Sequence, residues 1–198
     1  MSRRTTRTTM LATAATLLQE GGTAGVTIDA VLARSGCPRG SVYHHFPGGR
    51  AQLLREALQF AGEEITAAIE SAASGDGTAL LRRFAALWRE ALISSDYTAG
   101  SPVLAAAIGS GTDEEQLTAV AADIFRRWRD AAAQGFVREG FDPADAVALA
   151  HTSIAALEGA VMLCRSLHSL EPLDDVARQL EFLITARQFV SRSTVAAS

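Results

Sequence analysis

The chain has 198 residues and a net charge of −4. Apolar residues make up 48% of it and charged residues 20%, which fits a soluble globular protein with a real hydrophobic core in one or two small domains. Two cysteines, Cys37 and Cys164, exclude a disulfide framework and suit a reducing cytoplasm.

Helical periodicity runs through most of the chain, whereas strand signals are scarce. The predicted helices cover about residues 4–20, 27–35, 38–46, 50–73, 78–94, 102–108, 113–134, 142–168 and 170–190. This pattern predicts an all-α fold of about nine helices. We expect a three-helix helix-turn-helix domain at 1–49, a helical ligand-binding and dimerisation domain at 50–198, and a disordered tail after residue 190.

Two apolar stretches could be mistaken for targeting or membrane segments. Threonines interrupt the N-terminal one and no small-residue cleavage site follows, so we expect no signal peptide. The run 146–164 contains His151 and Glu158, which favours a buried helix over a membrane span. We therefore expect a cytoplasmic protein that does not enter a membrane.

Charge is divided unevenly along the chain. Residues 1–50 carry six arginines and two acids, 6 − 2 = +4, and residues 51–198 carry 12 arginines and 20 acids, 12 − 20 = −8. A basic segment on an acidic body is expected where one end of a protein meets a polyanion.

The segment 27–46 has the pattern of a helix-turn-helix. Thr27 suits a helix N-cap, Gly36 a tight turn, and Pro38 the first position of the next helix. In this motif the start of the second helix contacts base edges in the major groove, and the candidates are Pro38, Arg39, Gly40 and Ser41. Arg39 can donate two hydrogen bonds to guanine.

Further along the same helix, Val42 and Phe46 are four residues apart and should face the core. Tyr43, His44 and Arg50 would then lie near phosphates. His45 either faces DNA or packs against the first helix.

Residues in and before the helix-turn-helix have three other candidate roles. A metal site at His44–His45 is not expected, because adjacent helical residues diverge by about 100° and no ligand follows one turn later. Arg3, Arg4 and Arg7 form either an arm on DNA or a solvated tail. Cys37 is either a redox-sensitive thiol or a small turn filler.

The segment "TIDAVLARSGCPRGSVYHHF" resembles the helix-turn-helix of the TetR family of bacterial repressors, and "PRGSVYHHFPGG" resembles its LmrA/YxaF branch. The resemblance implies a homodimer on a palindromic operator that a small molecule releases. By position it implies phosphate or groove contacts from Thr27, Tyr43, His44 and His45, and base reading by Arg39, Gly40 and Ser41. Arg50 stands one position later than the family's lysine.

The body contains candidates for a ligand pocket. His151 and Glu158 are seven residues apart on a nearly uncharged helix, so they share a face. Glu158 is either a polar group of a pocket or a satisfied acid at a helix contact. With aromatic and apolar neighbours the predicted set is Phe84, Trp88, Tyr97, Phe125, Trp128, His151, Ile154, Glu158 and Met162.

The last two helices combine small and apolar residues that one core cannot bury, which predicts a two-fold dimer interface. Its expected members are Ala156, Gly159, Ala160, Leu167, Val176, Leu180 and Leu183.

The favoured function is a sequence-specific, ligand-responsive repressor. One alternative is an architectural DNA-binding protein without ligand control. Another is a small enzyme that uses His151 and Glu158, but no nucleophile motif, phosphate loop or metal spacing supports it. The expected partners are double-stranded DNA, a second copy and a small-molecule effector, and no cofactor is expected.

Overall fold

The structure, a computed structural model, describes residues 3–72, 77–109 and 114–196. In these ranges the chain forms nine α-helices and no strand, as predicted. The helices are α1 (Arg3–Gly25), α2 (Ile28–Ser35), α3 (Arg39–His45), α4 (Gly49–Ala72), α5 (Gly77–Ser94), α6 (Pro102–Ala107), α7 (Glu114–Arg138), α8 (Pro143–Leu167) and α9 (Glu171–Ala196).

The chain divides into two compact units. The first comprises Met1–Ile65 and Thr98–Phe125, and the second comprises Thr66–Tyr97 and Arg126–Ser198. In the first unit α1 packs on α2 and α6, and the fully buried side chains include Met10, Leu18, Val31, Leu53 and Leu58. In the second unit α5, α8 and α9 pack on one another.

The second unit has an aromatic core. The rings of Phe84 and Trp128 meet edge to face with centroids 5.4 Å apart, and Phe84 and Trp88 do so at 6.1 Å. The Trp128 indole donates to the hydroxyl of Thr66 over 2.9 Å. A Cβ atom at Gly77 would lie 2.4 Å from the Phe136 ring, so this close approach of α5 requires glycine.

Several helix boundaries differ from prediction. α3 begins at Arg39 because Pro38 has extended ψ of 139° and serves as the cap residue. α1 resumes after a break at Gly22, whose φ of 64° and ψ of −163° glycine tolerates, and ends at Gly25. The expectation of a disordered tail is wrong for residues 191–196, because α9 continues to Ala196, and residues 197–198 lie outside the described part of the chain.

One described helix, α8, is long and apolar enough to cross a membrane by length and composition alone. Of its most apolar window, 44% is buried inside the protein, and core helices of soluble proteins meet the same criterion.

Candidate nucleic-acid interface

The turn that enters the candidate recognition helix is fixed at both ends of α2. The Thr27 hydroxyl accepts a hydrogen bond from the amide of Ala30 over 3.0 Å and so caps the helix. At the other end Gly36 adopts φ 66° and ψ 13°, and its amide donates to the Leu32 carbonyl. This left-handed conformation favours glycine and turns the chain from α2 towards α3.

Two fully buried residues orient α3. Val42 and Phe46 each have no exposed surface, which confirms the predicted inward face. Arg39, Gly40, Tyr43 and His44 are exposed, and Ser41 and His45 are half-buried. The helix therefore presents its first residues and the side chains of Tyr43 and His44 to solvent.

Arg39 lies at the start of α3 and forms an ion pair with Asp29 of α2 over 3.0 Å. Both side chains are 75% exposed. Because such exposed pairs contribute little stability, Arg39 can leave Asp29 for another acceptor at small cost.

The two histidines of α3 differ in exposure, since His44 is exposed and His45 is half-buried beside Phe46. Their ring centroids are 5.1 Å apart, and the His45 ring lies 6.4 Å from the ring of buried Phe46. Among the described residues no group of three or more His, Cys, Asp or Glu side chains is placed to hold a metal ion.

Arg7 of α1 is half-buried and contacts two other elements of the first unit. It forms an ion pair with Glu56 of α4, and its guanidinium lies over the Phe46 ring at 5.3 Å. The expectation of a solvated tail is wrong for Arg7, because the residue lies within α1 and its side chain contacts Glu56 and Phe46. The side chains of Arg3 and Arg4 lie outside the described part of the chain.

A hydrogen-bond chain along α4 continues from this pair. The amide of Gly48 donates to Gln52 over 2.8 Å, and the Gln52 amide group donates to Glu56 over 2.9 Å. Gln52 and Glu56 thus join Gly48, in the turn between α3 and α4, to Arg7 of α1. Sequence reasoning missed this chain, although the four-residue spacing of the three positions was a usable signal.

Arg50, the second residue of α4, does not point freely into solvent. Its Nε donates to the Val26 carbonyl over 2.7 Å and its Nη2 donates to the Thr23 carbonyl over 2.6 Å. Both acceptors lie where α1 gives way to α2. No local pattern around Arg50 indicated partners 24 and 27 residues away.

A bidentate ion pair joins α1 to α2. Arg34 donates to both carboxylate oxygens of Glu20, one of them over 2.8 Å. The hydrogen bond from Arg34 lowers the pKa of Glu20 against a smaller opposing effect of burial, and the same bond raises the pKa of Arg34.

Comparison with known proteins agrees with this geometry. Residues 10–57 match the model described as "Bacterial regulatory proteins, tetR family", and residues 78–179 match "Transcriptional regulator LmrA/YxaF-like, C-terminal domain". An HTH-type transcriptional regulator of Mycobacterium tuberculosis strain H37Rv is 42% identical over 91% of this chain and 94% of its own length.

The chain belongs to the TetR family of bacterial regulatory proteins. YxaF, an HTH-type regulator of Bacillus subtilis, is 27% identical over 92% of this chain and 97% of its own length. A TetR regulator structure from Chloroflexus aurantiacus superposes with a TM-score of 0.74 at 27% identity, over 92% and 96% of the two chains. The predicted family and branch are confirmed, and the protein is a transcriptional regulator with a DNA-binding domain.

The body of this TetR-family regulator contains the predicted pocket residues in three environments. Phe84, Trp88, Trp128 and Glu158 are buried. Tyr97, Phe125 and Ile154 are half-buried, with Phe125 in the first unit, while His151 and Met162 are exposed. Ring contacts bring Phe84, Trp88 and Trp128 together, whereas the Tyr97 ring contacts His168.

Two observations refine the chemistry of this set. His151 is exposed and Glu158 is 4% exposed, so the pair does not open onto one site and the enzyme hypothesis loses its acid–base pair. Trp88 is 3% exposed, and its indole Nε1 has no hydrogen-bond partner in the part of the chain that the structure describes. A buried donor of this kind calls for an acceptor from outside those residues.

The predicted interface residues also differ in solvent exposure. In the single chain Ala160 and Leu180 are buried, Ala156, Gly159 and Val176 are half-buried, and Leu167 and Leu183 are exposed. The structure adds exposed residues that sequence reasoning missed. We call the resulting exposed apolar set the α8–α9 face: Val147, Met162, Leu163, Leu167, Phe182, Leu183, Phe189 and Val190.

Proposed function

We propose that this regulator is a homodimeric repressor that binds a palindromic operator and leaves it when a small, largely apolar ligand binds. The observation that carries the DNA-binding part is the orientation of α3. Val42 and Phe46 anchor one side of it, so its first residues and Tyr43 and His44 are available to DNA.

The proposed contacts follow the geometry of a recognition helix in the major groove. Pro38, Arg39, Gly40 and Ser41 lie at base edges, where Arg39 exchanges Asp29 for guanine. Thr27, Tyr43, His44 and His45 contact phosphate or groove walls and fix the register. Residues 1–49 are assigned to DNA binding and 50–198 to ligand binding and dimerisation, in a cytoplasmic protein.

Support for dimerisation comes from the α8–α9 face. Phe182 and Phe189 are seven residues apart on α9 and are 70% and 73% exposed. An apolar surface of this kind commonly marks an interaction site. A second copy using the same face forms a closed two-fold dimer, which matches the symmetry of a palindrome.

Support for a ligand comes from the Trp88 indole. The ligand class that this donor favours is a largely apolar molecule with one hydrogen-bond acceptor for Nε1, such as an aryl ketone. The matched probes are acetophenone and ethylbenzene, which differ in the carbonyl group. We expect acetophenone to shift the ¹⁵N resonance of the Trp88 indole more than ethylbenzene does, and equal responses would argue against an acceptor site there.

Arg39 provides the test of base reading. Arg39→Ala should reduce the preference for operator over random duplex, since one bidentate contact contributes about 1–3 kcal/mol of discrimination. Arg82→Ala is the matched control, because Arg82 is also an exposed arginine in a surface ion pair, with Glu181. A variant that loses no preference relative to this control would contradict the assignment of Arg39.

A further inference from the structure

The Arg50 side chain is placed differently from that of a phosphate ligand. The side chain of a phosphate ligand should extend into solvent, whereas Arg50 is half-buried and donates to the carbonyls of Thr23 and Val26. Gly49, with φ 65°, precedes it and starts α4. The guanidinium therefore lies against the chain between α1 and α2.

The chemistry of this contact favours arginine over lysine. A planar guanidinium offers donors in a fixed fork, and charge-assisted bonds to two carbonyls three residues apart use two arms of that fork. Lysine carries the same charge on one flexible nitrogen and does not reproduce the fork. The contact thus needs the shape of the group as well as its charge.

The accepted carbonyls belong to the segment that positions α2. Val26 directly precedes Thr27, the residue that caps α2. α2 in turn leads into α3 through the left-handed turn at Gly36. An arginine that ties this segment to α4 therefore fixes one flank of the helix-turn-helix.

The other flank is tied to the same part of α4. Gln52 accepts from the amide of Gly48, just beyond α3, and bonds in turn to Glu56, the partner of Arg7. The first two turns of α4 thus hold the chain both before α2 and after α3.

We propose that Arg50 is a positioning residue, which fixes the orientation of α2 and α3 on α4 and does not bind an operator phosphate. This assignment rests on the proposed operator binding and replaces the phosphate role expected from the sequence. It predicts that Arg50 contributes to specific DNA binding through geometry and contributes little to the electrostatic attraction common to all DNA.

The test compares Arg50→Lys and Arg50→Gln with the unmodified protein. The affinity of each is measured over a range of salt concentrations, both for an operator obtained by selection from genomic DNA and for random duplex. Both variants should bind the operator about tenfold or more weakly, because charge-assisted hydrogen bonds contribute at least this factor. Binding to random duplex should change little, and the salt dependence of Arg50→Lys should equal that of the unmodified protein.

A phosphate ligand behaves in the opposite way. Lysine is a good phosphate ligand, so Arg50→Lys would then retain operator affinity. In Arg50→Gln the slope of log K against log salt concentration would become less negative by about 0.9. That result would overturn the inference while leaving the proposed function intact. A dimer that prefers no sequence to random duplex before any substitution would overturn both.

A measurement on the unmodified protein covers the case in which the variants fold poorly. The Arg50 Nε–H group should remain protected from hydrogen exchange, and its ¹⁵N resonance should keep its position when operator is added, because its bond to Val26 persists. A large shift with loss of the protection would show that Arg50 moves to DNA.

Discussion

Phe182→Ala tests the α8–α9 face as the dimer interface. Phe182 is 70% exposed in the protomer, and an aromatic side chain presents about 200 Å² of surface. Phe182 therefore exposes 70% of about 200 Å², or about 140 Å². Alanine would keep about 50 Å² of this, so the substitution removes about 90 Å² of buried surface per protomer, or about 2 kcal/mol. A two-fold interface uses each residue twice, so the dimer should lose about 4 kcal/mol and its Kd should rise about a thousandfold.

Sedimentation velocity over a dilution series measures this change. Ile108→Ala is the matched control, because Ile108 is 71% exposed but follows α6 in the first unit and does not belong to the α8–α9 face. The control should retain the Kd of the unmodified dimer. The reasoning is refuted if Phe182→Ala associates as tightly as the control, since the face would then contribute nothing to association.

Three further predictions concern stability. Trp128→Phe should lower the free energy of unfolding in urea by about 1–3 kcal/mol, because it breaks a buried hydrogen bond. Trp88→Phe breaks no hydrogen bond in the described structure and should lower this free energy by less. Equal losses in the two variants would contradict the prediction. Thr27→Ala should cost about 1 kcal/mol in thermal unfolding while Thr27→Ser retains the cap, and a loss of the same size in both would assign the effect elsewhere. Arg34 holds the pKa of Glu20 below its ordinary value of 4.5. The loss of stability caused by Glu20→Gln should therefore be constant above about pH 5 and vanish as the pH falls through the pKa of Glu20 in the folded protein. A stability difference between the variant and the unmodified protein that persists at lower pH would show that ionisation of Glu20 does not cause it.

Local signals in the sequence predicted the helices and the helix-turn-helix well. The Thr27 cap, the Gly36 turn and the inward spacing of Val42 and Phe46 each depend on residues within one or two turns. Such short-range physics is visible in a single sequence. The break at Gly22 was visible too, but not the return to helix after it.

Contacts between distant segments could not be predicted. Arg7 and Arg50 both bond to partners far along the chain. From residue type alone, Arg50 is expected at a phosphate, and Arg7 either on DNA or in a solvated tail. On the last helix, Leu180 is buried while Leu183 is exposed, although both are apolar and lie three residues apart. Apolar periodicity identifies both as interface candidates and does not say which core or partner each one meets.

The most direct measurement of the central claim is a selection of DNA fragments bound by the intact protein from its genome, followed by sequencing. The bound fragments should be enriched in an inverted repeat, with half-sites separated by about one turn of the double helix or a multiple of it, since two copies of α3 would occupy successive major grooves. Fragments with no sequence enriched over random DNA would contradict it.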